Sequence, residues 1–236
     1  YTLFIRTGHS PTGQIRMRKL FFLLVCIIVL SACNTPVQNI PSPTPSFTPV
    51  PTVEPTHHST PAQPTVTPRN PEQEVLARAA EVILLLKNQD MAGLTDYTHQ
   101  VRGIRFSPYS AIQPDDLVFF RDEIAGLSDD PTVYHWGIYD GSGMDMDLTF
   151  ADYYAEFVYD VDFASAPQVA VNQRQGQGNT IDNSAEVYPG EMIVEYHFPG
   201  FDPQYDGMDW RSLRLVFRYC QGDYYLIGII HDEWTP

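Results

Sequence analysis

Between residues 34 and 69 the chain carries ten prolines, at positions 36, 41, 43, 45, 49, 51, 55, 61, 64 and 68, and almost no aliphatic periodicity. Proline fixes φ and removes an amide donor, so such a stretch builds neither a helix interior nor a sheet. It is expected to be an extended, polyproline II-like stalk, reaching on the order of 100 Å at ~3.1 Å per residue. Serine and threonine beside the prolines also suit an O-glycosylated stalk. The pair His57-His58 lies in this tether without companion ligands. A packed core must therefore come from residues 71–236.

On its other side the stalk adjoins a stretch with the polarity of a secretory leader. Met17 is followed by Arg18 and Lys19, an unbroken apolar run from Leu20 to Leu30, and the quartet Leu30-Ser31-Ala32-Cys33. Eleven apolar residues rise only ~16 Å as a helix. That is short of a ~30 Å hydrocarbon core, so a removable leader at 17–32 is expected rather than a permanent span. The quartet resembles the lipobox of bacterial lipoproteins. The resemblance implies cleavage before Cys33, a diacylglycerol on its thiol, and a protein held at a membrane outside the cytoplasm. Residues 1–16 precede the expected initiator and are expected to carry no structure.

Charge narrows the partners. The formal net charge is −15, and from Pro71 onward nine basic side chains face 28 acidic ones, a net of −19. A phosphate backbone is repelled by such a field, which argues against nucleic acid. A hydrophobic fraction of 43% with 13% aromatics belongs to a domain with a core, not to an acidic tail. Of three cysteines, Cys26 lies in the leader and Cys33 after it, leaving Cys220 alone in the folded part.

The expected domain, 71–236, opens with a helix. Asn70 is placed as cap, Pro71 at the first helical position and Gln73 in the capping-box place, before Val75, Leu76, Ala79, Val82, Ile83 and Leu86 at helical spacing. A short helix starts at Asp90. Strand patterns follow at 103–106, 117–120 and 133–139, with a turn at 140–143 and an aromatic helix from Thr149. Further strands are expected at 168–174, 191–198, 212–220 and 224–231, the last two a hairpin about Gly222-Asp223. Helices first and antiparallel strands after predict an α+β fold, with N-terminal helices on a curved, mainly antiparallel, cone-like sheet.

The opening helix, the short helix at 90–97 leading into Val101-Arg102-Gly103-Ile104-Arg105-Phe106, and the closing hairpin together resemble the nuclear transport factor 2-like superfamily. The ending His231-Asp232-Glu233-Trp234-Thr235 also resembles an uncharacterised domain carried by bacterial lipoproteins. The first resemblance implies a pocket between helices and bent sheet. The aromatic helix and the segment 176–190 depart from the simplest cone. The superfamily holds enzymes and binding domains alike, so fold does not decide function.

Several constellations could carry chemistry. His197 shares a strand face with Glu195, and His231 is flanked by Asp232 and Glu233, only one of which can share its face. A carboxylate beside histidine suits acid–base catalysis, which makes His197, His231 and Glu195 the catalytic candidates. If the sheet curls, Arg105, Trp136, His197 and His231 are expected to line a ligand pocket. Asp202, Asp206 and Asp209, and likewise Asp140, Asp145 and Asp147, bring three carboxylates within eight residues; calcium is the ion they suit, without the EF-hand spacing. No phosphate loop, paired-cysteine zinc spacing, His-Glu-x-x-His or Gly-x-Ser-x-Gly occurs, and Lys87 is the sole lysine after the leader. The expectation is a lipid-anchored binding or interaction domain for a small molecule or glycan, with no required cofactor. The alternatives are an envelope hydrolase or lyase using a histidine–carboxylate pair, and a spacer without ligand.

Overall fold

The computed structural model describes residues 70–235. The expected leader, Cys33 and the stalk lie outside the described residues. The opening helix α1 (Pro71–Lys87) starts where Asn70 accepts from the amides of Glu72 and Gln73, and it buries Val75, Ala79, Val82, Ile83 and Leu86. Asp90 caps α2 (Met91–Leu94) through the amide of Gly93. There follow β1 (Ile104–Ser107), β2 (Val118–Phe119), α3 (Arg121–Ile124), β3 (Val133–Ile138), β4 (Asp145–Thr149), α4 (Phe150–Phe157), β5 (Gln168–Val171), α5 (Ser184–Val187), β6 (Met192–Phe198), β7 (Arg211–Cys220) and β8 (Asp223–Glu233).

The fold is α+β. Six strands form one sheet in the order β2-β1-β8-β7-β6-β5, antiparallel except where β1 runs parallel to β8. Strands β3 and β4 form a separate hairpin. The segment 140–147, read as an acidic loop, is turn and irregular backbone only through 144: Asp145 and Asp147 lie on β4, with Asp147 opposite His135. The tight turn of the last hairpin is Gln221-Gly222, one residue earlier than expected, both at positive φ (52° and 96°) as a type I′ turn demands. Ile227 is an extra residue in β8, since Val216 faces Gly228 while Phe217 faces Leu226.

The two faces of the sheet differ in kind. One carries Ile104, Phe106, Val194, Leu213, Leu215, Phe217 and Ile229, packed with α1, α4 and the hairpin. Rings fill that side: Trp136 stacks on Tyr153 with centroids 3.6 Å apart, and Phe106 meets Phe119, Phe150 and Tyr153 edge-on. The opposite face mixes a small apolar cluster, Ile112, Tyr188, Val216, Ile227 and Ile230, with buried polar residues. A strap, residues 172–190, lies across it. Asn183 ties the strap to the loop after β1, exchanging two 2.9 Å hydrogen bonds with the backbone of Ile112.

Candidate functional site

Residues directly opposite in an antiparallel sheet share a face. Glu195 faces Arg214, His197 faces Ser212 and Ser212 faces Asp232, so these five lie together beneath the strap. Arg105, opposite Gly228, shares that side. His231 does not, because it pairs with Leu213 on the helix-packed face. Trp136 is stacked on Tyr153 among the rings, its indole donating to Leu148 O at 3.0 Å. The expected pocket of Arg105, Trp136, His197 and His231 is therefore split between the two sides of the sheet, and the helix side is closed by aromatic rings.

What the strap covers is a four-charge cluster. Arg214, 2% exposed, donates to Asp182 (2.9 Å) and to Asp232 (3.2 Å), which is itself 1% exposed. Arg174 from the strap donates to Asp232 (2.9 Å) and to Ser110 (3.3 Å). Each arginine thus bridges strand and strap. Burial pushes the Asp232 carboxyl up, against the pull of Arg214 and Arg174. Burial would also raise Asp182, but Arg214, the Ser184 hydrogen bonds and Arg174 outweigh it and hold that carboxyl low. Breaking such a cluster on one side leaves a buried charge uncompensated.

Beside it, Glu195 closes the strap's near end. It accepts from the amides of Gln175 (3.0 Å) and Gly176 (2.9 Å) and from the Ser212 hydroxyl (2.6 Å). Because the Ser212 proton goes to Glu195, its oxygen is left to accept from His197 Nδ1 at 2.8 Å. Burial holds His197 below the ordinary histidine range, against the opposing charge of Glu195. The chain Glu195–Ser212–His197 has hydrolase residue types, but Ser212 is 0% exposed, so no substrate carbonyl reaches its oxygen. Gly176 is required here, since a Cβ would overlap the Trp210 ring and the Ser212 hydroxyl.

Between strap and sheet a cleft of about 340 Å³ remains, lined in part by Arg174, Asp182, Ser184, Tyr188, Glu195 and Arg214. That volume lies within the range of small-molecule sites. On the other side, His231 is 1% exposed, edge-on to Phe157, with Nε2 3.4 Å from Asp160 Oδ1. Asp160 also pairs with Arg211 at 3.0 Å. Although burial raises it, the contacts with His231 and Arg211 keep its carboxyl low. Asp160 borders a shallow depression together with Asp152, Glu156, Arg211 and Glu233, behind which His231 is sealed.

Several carboxylates of the two acidic segments are taken up by hydrogen bonds from the chain itself. Asp209 Oδ2 accepts from the amides of Phe201 (3.1 Å) and Asp202 (2.8 Å), and Asp202 caps the amide of Gln204 (2.9 Å). Asp206 takes the left-handed position ending that turn. Asp140 accepts from the Thr235 hydroxyl at 3.3 Å. Among the described residues no three histidine, cysteine, aspartate or glutamate side chains converge as a metal site.

No sequence pattern groups Arg174, Asp182, Arg214 and Asp232. One signal was present: Arg214 stands between Leu213 and Leu215 in a strand otherwise built for burial. In comparisons with protein-family models, with curated proteins and with solved structures, nothing matches this chain.

Proposed function

We propose that this chain is a lipid-anchored, extracytoplasmic binding module that holds a small ligand in the cleft between the strap and the sheet. The observation that carries the reading is the cleft itself, about 340 Å³ of space bordered by a buried arginine–aspartate cluster instead of a closed apolar core. The lipobox-like quartet and the proline-rich stalk support the location, placing a folded domain at the end of a tether on a membrane. The cone-like reading is supported by α1, β1 and the β7–β8 hairpin meeting in one layered unit. In that reading the cone's interior is filled, and binding moves to the other face.

The rival, a hydrolase or lyase with a histidine–carboxylate pair, draws less support. His231 is sealed behind Asp160, and His197 contacts a serine rather than a carboxylate. The test is native mass spectrometry and crystallography of the full chain purified from its own membranes. A small molecule in the strap cleft is expected. Ala185, which lines the cleft, supplies the control: Ala185→Trp should fill the space and abolish retention. A ligand seated elsewhere and indifferent to Ala185→Trp would overturn the proposal.

A further inference from the structure

We infer that the cleft ligand is an extended peptide whose backbone pairs with the open edge of β5; the inference rests on the reading of the cleft as the binding site. Strand β5 ends the six-stranded order and pairs with β6 alone. In an antiparallel ladder, every second residue of an edge strand turns its N–H and C=O away from its neighbour. The phase is fixed just past the strand, where the Asn172 amide donates to Ile193 O at 2.8 Å. Ala170 and Gln168 therefore bond toward β6, and Val169 and Val171 direct their backbone groups outward. Among the described residues, neither of these two amides donates to a turn or loop carbonyl.

A row of outward N–H and C=O groups is complementary to another extended backbone. Edges of this kind are ordinarily guarded by charge or proline. Residues 168–173, Gln-Val-Ala-Val-Asn-Gln, contain neither, and Val169 is 46% exposed. The edge also runs straight into the cleft, because Asn172, Gln173 and Arg174 continue β5 and line that space. Ala170 lies opposite Glu195 on the strap side of the sheet. A peptide residue laid beside Ala170 turns its side chain to the same side, where the cleft receives it. In the lining, Asp182, Glu191 and Glu195 outnumber Arg174 and Arg214, so that side chain is basic or neutral. A second copy of β5 offers the same backbone, but it would bring together two domains of net −19. A separate peptide without acidic residues meets no such opposition.

The test follows backbone amides of the isotope-labelled full chain by NMR. The probes are the blocked peptide acetyl-Thr-Val-Lys-Val-Thr-amide, its counterpart with glutamate for lysine, and a copy of the first N-methylated at every residue. The lysine peptide should bind saturably, shift the strap amides and slow exchange at Val169 and Val171 by about tenfold or more. The N-methylated copy keeps every side chain and should do neither. Val169→Pro removes an outward N–H without touching the β5–β6 ladder, so it should abolish binding while the β6, β7 and β8 amides stay in place. Unchanged exchange at Val169 and Val171, equal binding of the N-methylated copy, or a preference for the glutamate peptide overturns the inference. Protection of the same amides that grows with protein concentration alone also overturns it, and assigns the edge to a second copy. Recovery from native membranes of a cleft ligand that is not a peptide would sink it while leaving the binding-module reading standing. Edge pairing indifferent to Ala185→Trp would sink both.

Discussion

Asp116 shows how one side chain can set the acid response of the domain. It lies between β1 and β2, accepting from the Ser107 hydroxyl and the Gln113 amide. Burial lifts its carboxyl to about 6 from an ordinary 3.8, against those hydrogen bonds and Arg105. The folded state therefore binds this proton more tightly than the unfolded chain does. The resulting stability is complete below pH 3.8 and is lost as pH rises through about 6. It amounts to roughly 3 kcal/mol. Asp116→Asn should remove that loss, so denaturant midpoints of variant and wild type should diverge in the variant's favour between pH 4 and 7. Equal midpoints throughout would contradict the assignment. Gly228 makes a second case. A Cβ there would lie 2.6 Å from the Tyr188 hydroxyl. Gly228→Ala should cost about 1–3 kcal/mol, and Tyr188→Phe should recover part of it in the double variant, as read by thermal melting.

The strap is the element on which the site depends, and it is held by side chains more than by backbone ladders. Glu195→Ala removes the acceptor of the Gln175 and Gly176 amides and should cost about 3 kcal/mol. Hydrogen exchange should quicken at those two amides well before it does along β7 and β8. Asp232→Ala, which strands two guanidinium groups, should cost about 3–5 kcal/mol by chemical denaturation. These contacts also mark how far the sequence was legible. Helix α1 could be read from its cap and spacing, and β6, β7 and β8 from apolar runs bounded by turns. Strand β4 could not, because Asp145 and Asp147 are poor strand formers that resemble a loop until paired with β3. Alternation along a single strand puts Glu195 and His197 on one face, as the β6–β7 register has them. That His231 belongs to the other face depends on its pairing with Leu213, a register between strands that no single strand encodes. The Arg174–Asp232 contact spans 58 positions and joins an irregular segment to a strand, so no local period announces it.

For the molecule as a whole, location and fold are separate questions with separate tests. The lipobox-like quartet predicts that Cys33→Ser yields protein released from membranes on fractionation, with its thermal melt unchanged because Cys33 lies outside residues 70–235. Equal membrane partitioning of variant and wild type would count against the anchor. The strand order carries a further consequence. Strand β8 sits between β1 and β7, joining a two-stranded piece on one side to a three-stranded piece on the other. Until residues 223–233 are available, β2-β1 and β7-β6-β5 have no shared neighbour, and a nascent chain stopped at residue 222 holds that sheet in two separate pieces. Closure of the six-stranded sheet thus waits on β8, however early the two pieces on either side of it have paired.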